Sequence, residues 1–335
     1  MVENTILSVR HLKTAFHTES GRVCAVDDVS FDVKAGHVLG VVGESGCGKS
    51  VTALSIMRLL PKPSGVIEKG EIRFKGNIDL LQLPVAQMQR FRGHRIAMIF
   101  QEPMTALNPV HRVGDQLREV FSLHFPQMED SNVDDNILAL LQKVGIPEVK
   151  ARLDEYPHQI SGGMRQRIMI AMALAGKPDL LIADEPTTAL DVTIQAQILS
   201  LILQLQKETG MAVMFITHDL GVIAEICDDV VVMYAGKVAE IAEVKELFAD
   251  PKHPYTQGLL ASIPRLTSKR KTKLPVIEGS VPSLLELPMG CRFQNRCPHV
   301  MAICRKQDPP QLKTGPDHKV SCFLLSKDPS CAPKT

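Results

Sequence analysis

The sequence predicts an α/β protein in which helices cover a sheet of buried parallel strands. Five short apolar runs rich in Val and Ile end at turn residues or charges: 38–42, 96–100, 180–183, 212–216 and 230–234. Apolar runs without alternation are typical of strands that are buried on both faces. Residues 194–205 instead place apolar side chains three and four positions apart, which indicates a covering helix.

Two further regions complete the predicted architecture. Residues 6–9, 29–33 and 71–74 alternate apolar and polar side chains, as expected of an antiparallel sheet with one solvated face. Residues 105–175 are predicted to be mostly helical.

The composition changes near residue 265, where long periodic segments stop. A basic run at 269–273 precedes three prolines. We therefore predict a first domain over 1–265 and a small extension over 266–335. The basic run is interpreted as a solvated linker, with a membrane-surface or partner contact as the alternative.

Composition and charge exclude several classes of protein. The 335 residues are 44% hydrophobic and 22% charged, and 38 basic against 37 acidic side chains leave a net charge of +1. This is typical of a folded protein rather than a collagen, coiled coil or disordered chain, and it gives no global sign of nucleic-acid binding. The longest uncharged apolar stretch, 192–206, is shorter than the ~20 residues of a membrane helix. Since the start also lacks a secretory pattern, we expect a cytoplasmic protein that does not span a bilayer.

A glycine-rich loop, GESGCGKS at 43–50, follows the first buried strand and precedes an apolar, helix-like segment. Strand, loop and helix in this order are typical of a phosphate-binding P-loop, and a chance glycine-rich turn would lack that context. Lys49 is expected to bridge the β- and γ-phosphates, and the Ser50 hydroxyl to bind Mg²⁺. The nucleotide-binding residues predicted in this segment are Gly43, Ser45, Gly46, Cys47, Gly48, Lys49, Ser50 and Val51.

A pair of carboxylates, Asp184 and Glu185, ends the buried strand at 180–183. Asp184 is suited to hold the Mg²⁺ shell, and Glu185 is suited to polarise the attacking water. Burial of two acids without a metal would be costly, which disfavours a purely structural interpretation. The glycine-rich loop and the acidic pair together therefore predict a nucleoside triphosphatase.

Four further motifs make the set specific: ISGGMRQR at 160–167, ALD at 189–191, Gln101 in IFQEP and His218 in ITHD. With the loop and the acidic pair, they resemble the ATP-binding-cassette ATPases over the first domain. The resemblance implies a RecA-like α/β core with an antiparallel β subdomain, a helical signature subdomain at about 105–175 and a small C-terminal extension. It also implies ATP and Mg²⁺ as the ligands.

The resemblance implies roles for the remaining motif residues. In that family the loop of one subunit and the SGG signature of another enclose each ATP. Ser161, Gly162 and Gly163 are accordingly expected to bind the partner's ATP. Further expected site residues are Gln101 on Mg²⁺ and the water, His218 on the γ-phosphate, Phe16 stacked on adenine or simply in the core, and Asp191 near the nucleotide. Glu185, His218 and Gln101 form the predicted catalytic set.

The signature departs from the commonest family form at two positions, where Ile160 replaces Leu and Met164 replaces Gln. This suggests the hypothesis that the two ATP sites of a heterodimer differ in activity.

Segments 100–109, 183–199 and 252–264 resemble the ATPase subunits of bacterial dipeptide and oligopeptide importers. The resemblance implies a homologous second ATPase, two permease subunits, an extracytoplasmic binding protein and a peripheral location at the cytoplasmic face of the inner membrane. Nickel and glutathione are alternative cargoes. A soluble cassette ATPase that remodels nucleoprotein complexes is the rival from another class. A catalytically silent partner is disfavoured by the intact Lys49, Asp184, Glu185 and His218.

Five cysteines fall in the last 45 residues. In a reducing cytoplasm such clustering suggests a metal site more than disulfides. Their spacing is wider than in the usual zinc signature, and Pro298 follows Cys297 as it often follows iron–sulfur ligands. The pattern resembles the cluster-binding tail of dipeptide-importer ATPases. We predict a [4Fe–4S] cluster on Cys291, Cys297, Cys304 and Cys322, with zinc or unligated thiols as alternatives. Cys331 is expected to be a bystander, and Cys24 and Cys227 to be small buried hydrophobes.

Overall fold

The computed structural model describes residues 4–101, 107–188, 190–263 and 275–326. The chain divides into two compact units. The signature unit contains the described parts of Met1–Ile6, Val33–His37 and Gln82–Phe215, and the loop unit contains those of Leu7–Asp32, Val38–Leu81 and Ile216–Thr335.

The strands in chain order are β1 (Thr5–Thr18), β2 (Gly21–Lys34), β3 (Val38–Val42), β4 (Gly65–Phe74), β5 (Ile78–Asp79), β6 (Ile96–Ile99), β7 (Leu180–Asp184), β8 (Ala212–Thr217), β9 (Asp229–Tyr234), β10 (Lys237–Glu243), β11 (Gln311–Lys313) and β12 (Lys319–Ser321). The helices are α1 (Lys49–Met57), α2 (Val85–Phe91), α3 (Val113–His124), α4 (Asp130–Lys143), α5 (Val149–Leu153), α6 (Gly162–Ala175), α7 (Val192–Thr209), α8 (Leu220–Ile226), α9 (Val244–Ala249) and α10 (Pro254–Ala261). No helix within these described ranges is long and apolar enough to cross a membrane.

An antiparallel sheet with the order β2-β1-β4-β5 forms one layer of the loop unit. Strands β1 and β4 pair with Leu7 opposite Phe74. The alternation of apolar and polar residues along β2 explains why this sheet has one buried face. Val29 and Val33 are buried, while the polar side chains between them are only partly covered. The predicted antiparallel sheet is confirmed.

A second sheet of the loop unit has the order β11-β12-β10-β9-β3. Strands β3 and β9 run parallel with Gly40 opposite Val230, and β10 pairs antiparallel with both β9 and β12. Every residue of β3 is buried, which accounts for its continuous apolar run. The sheet therefore carries the glycine-rich loop at the carboxyl end of a fully buried strand.

The signature unit combines parallel strands with packed helices. Strands β6 and β7 pair with Ile96 opposite Leu180, and every residue of both is buried. Helix α4 buries Val133, Ile137 and Leu141 at four-residue spacing and packs on α3 and α6. The predicted α/β class is thus confirmed, and the described part of 105–175 is mostly helical. The strand predicted over 96–100 ends at Ile99, and Phe100 is exposed.

The boundary predicted near residue 265 and the basic run at 269–273 lie outside the described residues and stay predictions. Beyond them, residues 275–326 belong to the loop unit. Strand β12 pairs with β10, and the Phe293 ring lies 5.2 Å from that of Tyr234 and 5.4 Å from that of Tyr255. The C-terminal segment therefore joins the core of the loop unit through Phe293, and it adds a small cluster of its own around Cys304 and Phe323.

Candidate nucleotide-binding site

The glycine-rich loop joins β3 to α1 within the loop unit. Gly48 begins the helix with a φ of 98°, and a Cβ there would overlap the carbonyl oxygen of Ala25. A Cβ on Gly43 would likewise overlap the carbonyl oxygen of Met233. Close backbone approach thus explains the glycines at both ends of the loop. Ser45 and Gly46 are exposed at its crest, and Ser50 and Val51 lie half-buried in the first turn of α1.

Lys49 is only 5% exposed, and its ammonium lies inside the loop. Its Nζ donates to the carbonyl oxygens of Gly43 at 2.8 Å and Glu44 at 3.3 Å. Burial raises the pKa of the neighbouring Cys47 thiol, so that side chain remains neutral. A cation and a helix N-terminus at the same place form an environment suited to phosphate groups.

Two other predicted residues belong to the loop unit. Phe16 lies half-buried on β1 opposite Gly65. His218 is exposed directly after β8, and it precedes Asp219, whose carboxylate caps α8 by accepting from the Gly221 N–H at 2.7 Å. This N-cap orders the backbone next to His218.

The acidic pair and Gln101 belong to the signature unit. Asp184 is the last residue of β7 and is 3% exposed. Glu185 follows with a φ of 45°, a left-handed conformation that costs a non-glycine residue about 1–3 kcal/mol and is concentrated at active sites. Its Oε2 accepts from Gln101 Nε2 at 3.2 Å and from Thr188 Oγ1 at 3.0 Å. The structure therefore brings two of the predicted catalytic residues together.

The signature motif begins α6. Ser161 is the N-cap, and its Oγ accepts from the Met164 N–H at 3.3 Å. Ser161 and Gly162 are exposed, while Gly163 is half-buried. Asp191 caps α7 in the same manner, accepting from the Ile194 N–H at 3.0 Å. Both helices thus present ordered N-termini, the feature that binds anions at helix ends.

Sequence reasoning missed three supporting residues. Gln166 of the signature motif is fully buried, and its amide donates to the Pro186 carbonyl beside the acidic pair. In the loop unit, Tyr255 and Arg296 both contact Glu44 of the glycine-rich loop. Gln166 and Tyr255 lie in segments that the motifs had marked, whereas no local pattern marks Arg296.

The predicted [4Fe–4S] cluster is wrong, and zinc gains no support. Across residues 4–101, 107–188, 190–263 and 275–326, no three or more Cys, His, Asp or Glu side chains are arranged to hold a metal ion. The four cysteines Cys291, Cys297, Cys304 and Cys322 border one small cavity as free thiols. Burial raises the pKa of Cys291 to about 12 and that of Cys322 to about 11, which disfavours the thiolate that a metal requires.

Two of the other cysteines, Cys24 and Cys227, lie within the described residues. Cys24 is buried and Cys227 half-buried, and burial raises the pKa of both thiols, consistent with the small hydrophobic residues expected. Cys331 lies outside the described residues.

Polar contacts hold the C-terminal segment where metal ligation was expected. His318 is fully buried between two carboxylates, with Nε2 2.7 Å from Glu240 Oε1 and Nδ1 2.9 Å from Glu246 Oε1. The Arg292 guanidinium forms an ion pair with Asp27 of β2 and donates to the Ala235 carbonyl. Buried polar side chains with fixed hydrogen-bond partners can order a segment that has little core of its own.

Two family models match the chain. The model described as ABC transporter matches residues 26–188. The model described as oligopeptide/dipeptide transporter, C-terminal region, matches residues 239–304.

Curated relatives match almost the whole chain. A probable peptide ABC transporter ATP-binding protein from Sinorhizobium fredii is 54% identical over 95% of this chain and 94% of its own length. The dipeptide transport ATP-binding protein DppD from Bacillus subtilis is 52% identical, also over 95% and 94%. The solved structure of a dimeric bacterial ABC transporter cassette covers 71% of this chain and 98% of its own, with a TM-score of 0.63 and 25% identity.

Proposed function

This chain belongs to the ATP-binding proteins of ABC transporters, and on that premise we propose that it hydrolyses ATP to drive the import of di- or oligopeptides. The observation that most supports peptide cargo is the identity above 50% along both chains to proteins named for peptide and dipeptide transport. The C-terminal match to the oligopeptide/dipeptide transporter region agrees with it. Nickel and glutathione remain alternative cargoes for the experiment to separate.

Lys49 and the loop N–H groups are proposed to bind the phosphates of ATP. The Lys49 ammonium already lies inside the loop, so it needs little reorganisation to reach an oxyanion. Phe16 would stack on the adenine, since base–aromatic stacking is worth about 1–3 kcal/mol. His218 would contact the γ-phosphate.

Mg²⁺ fits the donor chemistry of the proposed site. Ser50 offers a hydroxyl and Asp184 a carboxylate, which are the hard oxygen donors that this ion prefers. Asp184 is almost completely buried at the carboxyl end of β7, directly before Glu185. Ser50, Asp184 and Gln101 would hold the ion, which neutralises phosphate charge when bound.

Glu185 is proposed as the general base. Its Oε2 is oriented by hydrogen bonds from Gln101 and Thr188, which leaves the carboxylate fixed in direction. The attacking water would give its proton to this carboxylate as its oxygen bonds to the γ-phosphorus. Gln101 would also orient that water.

The complete assembly is proposed to contain a homologous second ATPase and two membrane permeases, with an extracytoplasmic binding protein that delivers the peptide. Ser161, Gly162 and Gly163 at the exposed start of α6 would bind the γ-phosphate of ATP held by the partner, with Asp191 nearby. Ile160 and Met164 would make the two sites unequal. The chain would be peripheral, at the cytoplasmic face of the bacterial inner membrane.

Co-purification of this chain with its partner ATPase and permeases allows the proposal to be tested. ATP hydrolysis by the complex is measured with the binding protein loaded with dipeptide, with nickel or with glutathione. Stimulation by the dipeptide alone is the expected result, and Lys49→Ala in this chain should reduce it strongly. Stimulation only by nickel or by glutathione would reject peptide as the cargo while leaving the ATPase function intact.

A further inference from the structure

Glu44, a residue of the glycine-rich loop, is held from three directions. Its carboxylate forms a two-point ion pair with Arg296, with Nη1 2.6 Å from Oε2 and Nη2 3.1 Å from Oε1. Its N–H donates to the Tyr255 hydroxyl at 3.0 Å, and its carbonyl accepts from Lys49 Nζ at 3.3 Å. One loop residue thus connects the phosphate-binding lysine to two side chains from beyond residue 250.

Arg296 is itself fixed before it reaches Glu44. Its side chain is 4% exposed. Its Nε donates to the Glu278 carbonyl at 3.0 Å and its Nη2 to the Ile277 carbonyl at 3.1 Å. The guanidinium carbon also lies 5.8 Å from the ring centre of Tyr234. Because these contacts fix the plane of the guanidinium, its two-point ion pair fixes the orientation of the Glu44 carboxylate.

Tyr255 is equally rigid. It is fully buried in the first turn of α10, with its ring 4.6 Å from that of Tyr234 and 5.4 Å from that of Phe293. Its hydroxyl therefore presents an acceptor to the Glu44 N–H at a fixed point. Tyr255 and Arg296 both lie in residues 239–304, the segment that the C-terminal family model matches.

We propose that Arg296 and Tyr255 position the glycine-rich loop through Glu44, so that the C-terminal region sets the affinity of that loop for ATP. This inference rests on the proposed binding of ATP by the loop. Phosphate binding by backbone N–H groups requires one loop conformation, and the measured affinity falls with the fraction of chains in that conformation. Without the ion pair, Glu44 would lose its main anchor, and Lys49, which contacts the same residue, would shift with the loop.

Equilibrium dialysis of the full chain with radiolabelled ATP and Mg²⁺ tests the proposal. Arg296→Gln should raise the dissociation constant for ATP about tenfold, as expected if about one chain in ten keeps the competent loop. Glu44→Gln should do the same. The double variant should be little worse than either single one, because both remove one shared interaction. Arg296→Lys should weaken ATP binding less than Arg296→Gln does, since lysine keeps the positive charge but cannot form the two-point contact.

Arg305→Gln provides the matched control, because Arg305 also lies within the described residues 275–326 and is exposed. It should leave the dissociation constant unchanged. Thermal unfolding without ATP, followed in parallel, separates positioning from a structural role. A lower melting temperature with an unchanged dissociation constant of the folded chain would mean that Arg296 only stabilises the segment, and would overturn the proposal.

If Arg296→Gln does not fold, Glu44→Gln tests the same ion pair. Glu44 is only half-buried, so this variant is expected to fold. An unchanged dissociation constant in that variant would overturn the inference alone, because the wild-type chain would still bind ATP. A wild-type chain that does not bind ATP would overturn the proposed function and this inference together.

Discussion

Replacing Glu185 by Gln should stop ATP hydrolysis without weakening ATP binding. The carboxylate Oε2 accepts hydrogen bonds from Gln101 and Thr188. An amide of the same shape can still accept both through its oxygen, so the local structure should persist. It cannot take a proton from the attacking water. The loss should therefore fall on the chemical step alone.

The magnitude follows from the contribution of a positioned base, about 10²–10⁴-fold in turnover. At 1.36 kcal/mol per tenfold, this is about 2.7–5.4 kcal/mol of activation free energy. The measurement is steady-state phosphate release by the assembled transporter, with the partner's ATP site blocked separately. ATP affinity, measured by dialysis, should change less than about twofold, since the ground-state hydrogen bonds are kept.

Glu208→Gln is the matched control, because Glu208 is a surface glutamate of α7 that pairs with Lys143 at 2.6 Å. It should leave turnover unchanged. Unchanged turnover in the Glu185→Gln variant would refute the role of Glu185 as base, and a large loss of ATP affinity would show that the side chain acts in binding instead.

Three further predictions concern assembly, stability and pH. The isolated chain should hydrolyse ATP poorly and gain activity with its partner and permeases, because Lys49 and Ser161 are proposed to act on different nucleotides; full activity in a demonstrated monomer would contradict this. His318→Ala should lower the free energy of unfolding by about 3 kcal/mol in urea titrations, since it leaves two carboxylates without their buried partner; an unchanged midpoint and slope would speak against it. Burial raises the pKa of Cys291 from 9.0 to about 12, so its contribution to stability is complete below pH 9.0 and is lost as pH rises toward 12. Cys291→Ala should accordingly show a smaller alkaline loss of stability than wild type, and identical pH profiles would contradict the shift.

The buried strands could be predicted because each had a strong local pattern. Residues 38–42 formed a continuous apolar run, and they are β3 with every residue buried. Residues 180–183 likewise became β7, with one more residue, Asp184, at its end. A strand that is covered on both faces leaves no polar alternation, so the sequence alone carries the information.

Contacts between distant residues could not be predicted in this way. Arg296 and Glu44 are 252 positions apart, and an ion pair leaves no periodic pattern in either segment. Gln101 meets Glu185 because β6 and β7 are neighbouring parallel strands, which follows from the topology and not from the spacing of the two residues.

The cysteine prediction failed for a related physical reason. Spacing describes how far apart Cys291, Cys297 and Cys304 lie along the chain, whereas metal binding depends on the angles and protonation of the thiols in space. The described segment places these thiols around one apolar cavity beside Phe293 and Phe323, and burial favours the neutral form of Cys291 and Cys297. The segment gains its order from the core and ion pairs of the loop unit.

ATP-driven uptake of a radiolabelled dipeptide shows whether this chain powers peptide import. Proteoliposomes would contain this chain, its partner ATPase and the permeases, with ATP supplied on the side of the ATPases and loaded binding protein on the other. We predict accumulation that requires ATP, is lost with Lys49→Ala in this chain and is unaffected by Glu208→Gln. Accumulation that persists with Lys49→Ala, or ATP hydrolysis by the wild-type complex without any dipeptide uptake, would contradict the account.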